Sequence, residues 1–214
     1  MTDRTLDLGP QARIIARLAR GVTDAQLADG TPCPRYAVRH LLGHLAGLSV
    51  AFRDAGRKDL GVTTDTSPDT ALPDLRPGRR EDLPAVLDEL AEVWREDLPA
   101  VLDELAEVWR DPRAWTGMTR AGGVDLPGEV AGAVAADELV VHGWDLARAT
   151  GQAYAPDPAA LEAAHTFLLA AAAEPGQDGG EGIFGPVVHV PSDAPLLDRT
   201  VGLSGRDPEW TPKA

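Results

Sequence analysis

Apolar positions recur along this chain at spacings of three and four residues, the period of a helix that buries one face. Residues 10–22 place Ile14, Ile15 and Leu18 on one side, and residues 35–56 carry Val38, Leu41, Leu42, Leu45, Leu48 and Phe52 on a second stripe. The same period covers residues 80–110 and residues 128–150, the latter followed by Gly151, a residue suited to the left-handed turn that stops a helix. An Ala-rich fifth helix is predicted over residues 158–173, and a short one near residues 195–202. Between the second and third helices runs GVTTDTSPDTALPDLRPG, a long turn-rich crossover. Four long helices with one long crossover predict an all-α fold, a four-helix bundle. The chain then divides into a bundle over residues 1–175 and an irregular C-terminal tail, residues 176–214, packed on the bundle and not a separate domain.

The third helical stretch contains a tandem repeat: REDLPAVLDELAEVW occupies residues 80–94 and again residues 95–109. At about 100° per residue, a shift of fifteen rotates the second copy by about 60° relative to the first, so the two apolar stripes do not align on one straight helix. Pro99 lacks an N–H and crowds residue 95, which predicts a kink or break there. Because the second copy leads directly into Asp111 and Trp115, it should fill the bundle slot, with the first copy extending from the crossover. The repeat reads as a duplication absorbed by that crossover; a functional extension of the helix is the alternative.

Composition narrows the function classes. Aromatic residues make up 5% of the chain and there are three isoleucines, which favours helix over sheet. Twenty basic against 34 acidic residues give a net charge of −14, a sign that repels phosphate backbones and anionic bilayers. Nucleic acid and membranes are therefore poor partners. Each copy of the repeat carries −4 of that charge, so much of the acidity belongs to one duplicated surface helix. Cys33 is the sole cysteine, which excludes an internal disulfide and a cysteine-based zinc cage. No apolar run approaches ~18 residues and the N-terminus has no leader pattern, so a soluble cytoplasmic protein is expected.

The informative chemistry lies on the fourth helix. Glu138 and His142 are four apart, hence one turn apart on the same face, and they continue a stripe containing Ala131, Val134 and Ala135. A carboxylate on a core-facing stripe is costly unless a cation receives it. A divalent metal meets that need; a simple intrahelical hydrogen bond is the other reading. His44, on the second helix, is flanked by Leu41, Leu45 and Leu48 and has Gly43 and Gly47 beside it. Each interior glycine costs about 1 kcal/mol relative to Ala, so the pair points to space kept for a ligand or for a close neighbouring helix. If the second and fourth helices are adjacent, His44, Glu138 and His142 converge on one ion and leave coordination positions open for water or substrate. His40, four before His44, is a candidate fourth ligand or a hydrogen-bonded residue near the helix end. Asp145 is either an outer partner fixing a His142 ring nitrogen or a solvated charge. Arg148 either pairs a substrate carboxylate or complements the helix C-terminus. Trp144 reads as packing and Cys33 as a small buried residue; His165 and His189 have no partner pattern.

TPCPRYAVRHLLGHLAG and DELVVHGWDLARATG resemble the metal-binding domain of the mycothiol-dependent maleylpyruvate isomerase family, within the DinB/YfiT-like superfamily. FGPVVHVPSDAPLLDRTVGLSGRDPEWTP is similar to the ending of a branch of small actinobacterial metal-binding proteins. The resemblance implies a DinB-like bundle whose metal ligands are His44, Glu138 and His142, with zinc, nickel or iron as the ion. It also implies mycothiol as co-substrate, a small-molecule electrophile as its partner, and a homodimer. Two departures stand out. Relatives often start the second helix with a Thr-Val-Arg-Asp capping box, where this chain has Ala37-Val38-Arg39-His40; with that cap lost, the helix is expected to begin earlier, near Pro34. The isomerase carries an additional C-terminal domain that no segment here matches, which argues against isomerisation of maleylpyruvate. The leading expectation is a metal-dependent thiol S-transferase; the alternatives are a metal-dependent hydrolase and a metal-binding protein without catalysis.

Overall fold

The first helix, α1 (Gly9–Arg20), turns Ala12, Ile15, Ala16, Leu18 and Ala19 into the core, the stripe its sequence period requires. The computed structural model describes residues 5–66, 83–173 and 185–212. Within them α1 is followed by α2 (Val38–Arg57), the short α3 (Val62–Asp65), α4 (Leu83–Trp109), α5 (Gly128–Thr150), α6 (Pro158–Ala172) and α7 (Leu196–Leu203). Residues 67–78 of the predicted crossover, residues 80–82 at the start of the predicted third helix, and the PGQDGGEG stretch before the tail lie outside the described residues. No described helix is long and apolar enough to cross a membrane.

Helices α1, α2, α4 and α5 form the bundle, and named contacts fix their directions. Arg110, just past α4, lies 3.5 Å from Asp7, ahead of α1. Arg95 donates to the Val22 carbonyl beyond the other end of α1 at 2.9 Å, so α1 and α4 are antiparallel. A Cβ on Gly43 of α2 would overlap the Trp94 ring, and one on Gly56 would overlap Val108 and crowd Trp109. Helices α2 and α4 are therefore parallel, which is why a long crossover must return the chain to its starting end. Gln11 donates to the Leu139 carbonyl at 3.0 Å and Gln152 to that of Leu18 at 2.9 Å, setting α5 parallel to α1 and antiparallel to α2.

Between α4 and α5 the chain forms a hairpin that the helical reading omitted. Strands β1 (Met118–Ala121) and β2 (Val124–Pro127) pair antiparallel, with Met118 opposite Pro127 and Ala121 opposite Val124. Gly122 and Gly123, at φ 60° and 80°, supply the two left-handed residues of a tight hairpin turn. Thr119 is buried and donates to the Ala55 carbonyl, pinning the hairpin to the end of α2. On the other side of the bundle α6 packs on α5, and α7 packs on α6.

Two expectations are corrected. Helix α2 does not begin near Pro34: its first residue is Val38, after an extended Ala37. Ala37 has no side-chain oxygen, but His40 turns back and its Nδ1 accepts the Ala37 N–H at 3.1 Å, one half of a capping box. Pro99 does not break α4, which is helical from Leu83 to Trp109. A helix-interior proline costs about 3 kcal/mol. The same segment buries Leu98, Leu102, Leu105 and Trp109 completely, and each fully buried leucine contributes about 1.5–3 kcal/mol, so packing wins.

The second copy of the repeat fills the bundle. Leu105 is 0% exposed, whereas its equivalent in the first copy, Leu90, is 40% exposed. Identical local sequence thus makes a clean internal control. Leu105→Ala should cost about 2–5 kcal/mol and Leu90→Ala about 0.5 kcal/mol or less, read from urea denaturation midpoints; equal losses would contradict the placement of the two copies.

Candidate metal centre

The α2–α5 seam brings together the three residues singled out by spacing. His44 Nε2 lies 3.4 Å from Glu138 Oε2, and His142 Nε2 lies 3.1 Å from the same oxygen. One ligand atom from each residue lies within 4.8 Å of the others, and among the described residues this is the one such group of three histidine, cysteine or acidic side chains. Ligand atoms about 2.0–2.1 Å from an ion at tetrahedral angles stand about 3.3 Å apart. Two edges of the triangle already have that length, so the residues fit a divalent ion with little movement.

Each imidazole has its remaining nitrogen occupied. His142 Nδ1 lies 2.9 Å from Asp145 Oδ2, and Asp145 is 0% exposed. His44 Nδ1 lies 3.3 Å from the Tyr36 hydroxyl, with the Tyr36 and His44 ring centroids 5.0 Å apart. The Asp145 carboxylate can only accept, so it keeps a proton on His142 Nδ1 and leaves Nε2 as the nitrogen turned to Glu138, while the Tyr36 hydroxyl, able to donate or accept, holds the His44 ring in place. Behind Asp145 stands Arg206 of the C-terminal segment, with Nη2 3.1 Å from Oδ2 and Nε 3.4 Å from Oδ1.

Electrostatics follow from this wiring. Burial alone raises the Glu138 pKa, but hydrogen bonds to His142 and His44 outweigh it and hold the carboxyl far below its usual range. Burial likewise opposes charge on His142, yet its bonds to Asp145 and Glu138 lift it to about 9. His44 is lowered by burial. Asp145 is kept ionised against burial chiefly by the Arg206 charge. Asp137 is the opposite case: it is 2% exposed, and its Oδ1 has no hydrogen-bond partner among the described residues. Burial, then the Glu138 charge, push its pKa well up and disfavour its charged form.

The other candidates resolve differently. His40 is used by the α2 cap and stands outside the triad. Arg148 donates to the Pro208 carbonyl and stacks 5.5 Å from the Trp144 ring centroid, so it ties down the tail instead of facing the centre. Cys33 is buried and burial raises its pKa, leaving it a poor nucleophile. His165 shares a 3.2 Å contact with Thr200 between α6 and α7, and His189 is exposed. Gly43 admits the Trp94 ring, the close neighbour foreseen for it, whereas Gly47 is exposed and, among the described residues, has nothing within 4 Å of where its Cβ would sit. The sequence reading missed Tyr36 and Arg206. Tyr36 precedes the periodic part of α2, and Arg206 lies 61 residues from Asp145, beyond the reach of any helical spacing.

Comparison with known proteins places this arrangement in context. The profile of the mycothiol maleylpyruvate isomerase N-terminal domain matches residues 8–147. Two solved structures are similar: mycothiol-dependent maleylpyruvate isomerase, at 18% identity and TM-score 0.50, and a histidine-to-alanine mutant of it, at 15% and 0.51. Each match covers 74% of this chain and 65% of the other, so the chain spans less than two thirds of those structures' length, and at these identities the likeness is one of fold. A comparison with curated proteins finds no match.

The pKa pattern has a measurable consequence. Below about pH 9 an ion must displace the His142 proton, whereas His44, lowered by burial, has none to give up near neutrality. Zinc affinity should rise about tenfold per pH unit from about pH 7 to about 9 and then level off. Competition against a chromophoric chelator, corrected for the chelator's own protonation, measures this; a flat profile would show His142 to be neutral in the free protein.

Proposed function

The chain belongs to the mycothiol maleylpyruvate isomerase N-terminal domain family, and on that premise we propose that it is a divalent-metal-dependent enzyme of the thiol S-transferase type. The observation that carries this reading is the triad of His44, Glu138 and His142, with two ligand-to-ligand distances of metal-site length and both histidines held from behind. Two imidazoles and one carboxylate suit zinc first, and nickel or iron as alternatives. When bound, such an ion supplies Lewis acidity that lowers the pKa of a coordinated thiol. The chain's own residues do the rest. Asp145 and Tyr36 orient the rings, Glu138 stays ionised, and the leucines around His44 exclude water. Solvent reaches the centre on the Glu138 side, whose side chain is 19% exposed. The only thiol of the chain is buried and raised, so the reacting sulfur comes from a co-substrate. Family membership supports mycothiol in that role, with a small electrophile as the second reactant. We read residues 1–175 as the bundle and 176–214 as a tail packed on it.

Metal analysis combined with a thiol screen tests the proposal. Purified protein should hold about one divalent ion per chain, His142→Ala should lose it, and conjugation of electrophiles should require both the ion and mycothiol. Ester hydrolysis without thiol would select the hydrolase reading, and full metal loading with neither reaction would select a binding protein. Absence of metal in the wild type would overturn all three.

Gly47, one turn on from His44, gives a second test. Among the described residues nothing packs where its side chain would be, and its φ is not positive, so neither described packing nor backbone conformation requires glycine. Gly47→Ala should stabilise the metal-loaded protein by up to about 1 kcal/mol. Gly47→Leu should keep the ion yet lower thiol-dependent turnover tenfold or more, and unchanged turnover would show that the ligand approaches elsewhere.

A further inference from the structure

The segment that follows the matched residues enters the centre itself. Residues 185–212 are tied to themselves by Val188, which donates to the Gly202 carbonyl at 2.9 Å, and to the bundle at two places: Thr200 meets His165 of α6, and Arg148 of α5 donates to the Pro208 carbonyl. Between the two anchors α7 ends at Leu203, and Gly205, at φ +81°, reverses the chain. Arg206 is then fixed from both sides, its N–H on the Val201 carbonyl at 2.9 Å and its Nη1 on that of Ser204 at 2.8 Å. Only Nε and Nη2 remain, and both face Asp145. A guanidinium presents these two donors in a rigid fork that matches a carboxylate. Asp145 in turn has no other described side-chain partner than His142, through Oδ2 at 2.9 Å.

We propose that Arg206 is a positioning residue of the metal centre: by holding both oxygens of Asp145 it fixes the His142 ring with Nδ1 bonded and Nε2 aimed at the ion, so the C-terminal segment sets metal affinity. The inference rests on the reading that His44, Glu138 and His142 bind a metal. Asp145 on a mobile rotamer would let the His142 ring turn about its χ2 and lose the aim that Glu138 and His44 require. The residue is absent from residues 8–147, so the matched domain alone does not contain the whole device. A purely structural role, neutralising a buried aspartate, predicts lost stability with unchanged affinity in whatever remains folded.

Full-length wild type, Arg206→Gln, Arg206→Lys and Thr200→Val are compared by zinc competition at a temperature where each is folded by circular dichroism. Thr200→Val removes the His165 contact and loosens α7 without touching Asp145. Removing such an outer partner typically weakens metal binding 10–100-fold. Arg206→Gln should fall in that range, Arg206→Lys, which keeps the charge but not the fork, should fall between it and wild type, and Thr200→Val should bind within threefold of wild type. In the zinc-loaded state the slowly exchanging His142 Nδ1–H resonance should be sharp in wild type and lost in Arg206→Gln. If Arg206→Gln does not fold, Arg206→Lys carries the same comparison. Affinities within threefold of wild type in both arginine variants, or an equal loss in Thr200→Val, would overturn the proposal. A wild type that binds no zinc would instead overturn the metal reading beneath it.

Discussion

Placing the Glu138 carboxylate inside a helix seam is the constraint from which the rest of the centre follows. An ionised carboxylate removed from water costs several kcal/mol unless it is paired and hydrogen-bonded. Glu138 obtains its partners from two helices, His142 one turn along α5 and His44 across the seam on α2. That choice moves the difficulty outward. Two imidazoles drawn to one oxygen must be prevented from turning away, so each needs a partner on its far nitrogen. Tyr36 meets the need for His44 with a hydroxyl, and Asp145 meets it for His142 with a second buried carboxylate. The second carboxylate raises the same problem again, and Arg206 closes the series.

How far this could be read from sequence depends on the range of each interaction. The α5 triplet Glu138, His142 and Asp145 lies within two turns of one helix, so spacing alone places all three together. His44 required adjacency of α2 and α5, which a bundle of four makes plausible and the resemblance made specific. Tyr36 and Arg206 lie on irregular chain, where no period indicates what a side chain faces. Residues 31–36 are shaped by local bonds, with Thr31 Oγ1 donating to the carbonyls of Cys33 and Tyr36 at 3.0 and 2.8 Å. The hairpin was legible in principle: Gly122-Gly123 between the short stretches MTRA and VDLP is a two-residue turn signal, outweighed by the helical pattern around it.

The tandem repeat separates local propensity from tertiary context within one helix. Both copies are helical over their described parts, so propensity and period suffice for that. Burial is decided elsewhere. Leu105 is 0% exposed and belongs to the core, while Leu90 and Val93 are 40% and 50% exposed. The roughly 60° rotation between copies is one cause; Trp94 and Trp109 nevertheless each lie against a glycine of α2, Gly43 and Gly56. Trp94 thereby gives the first copy a fixed role, closing the bundle over the turn that carries His44.

Charge balance at the centre bears on which ligand completes it. In the free protein Glu138 and Asp145 contribute two negative charges, Arg206 one positive charge, and His142 a second below about pH 9; burial disfavours a charge on Asp137. The buried cluster is then neutral. A divalent ion that displaces the His142 proton leaves it with one positive charge in excess, which a low-dielectric site tolerates poorly. A monoanionic ligand restores neutrality. Water and a thiol are both neutral in solution and both can yield such an anion, but they start from different places: a free thiol has a pKa of about 8.5 and water one of about 15.7. The same electrostatic preference for an anion therefore converts a far larger fraction of thiol than of water, and sulfur is also the softer donor to a zinc-type ion. Together these favour thiol transfer over hydrolysis at a centre built from this set of residues.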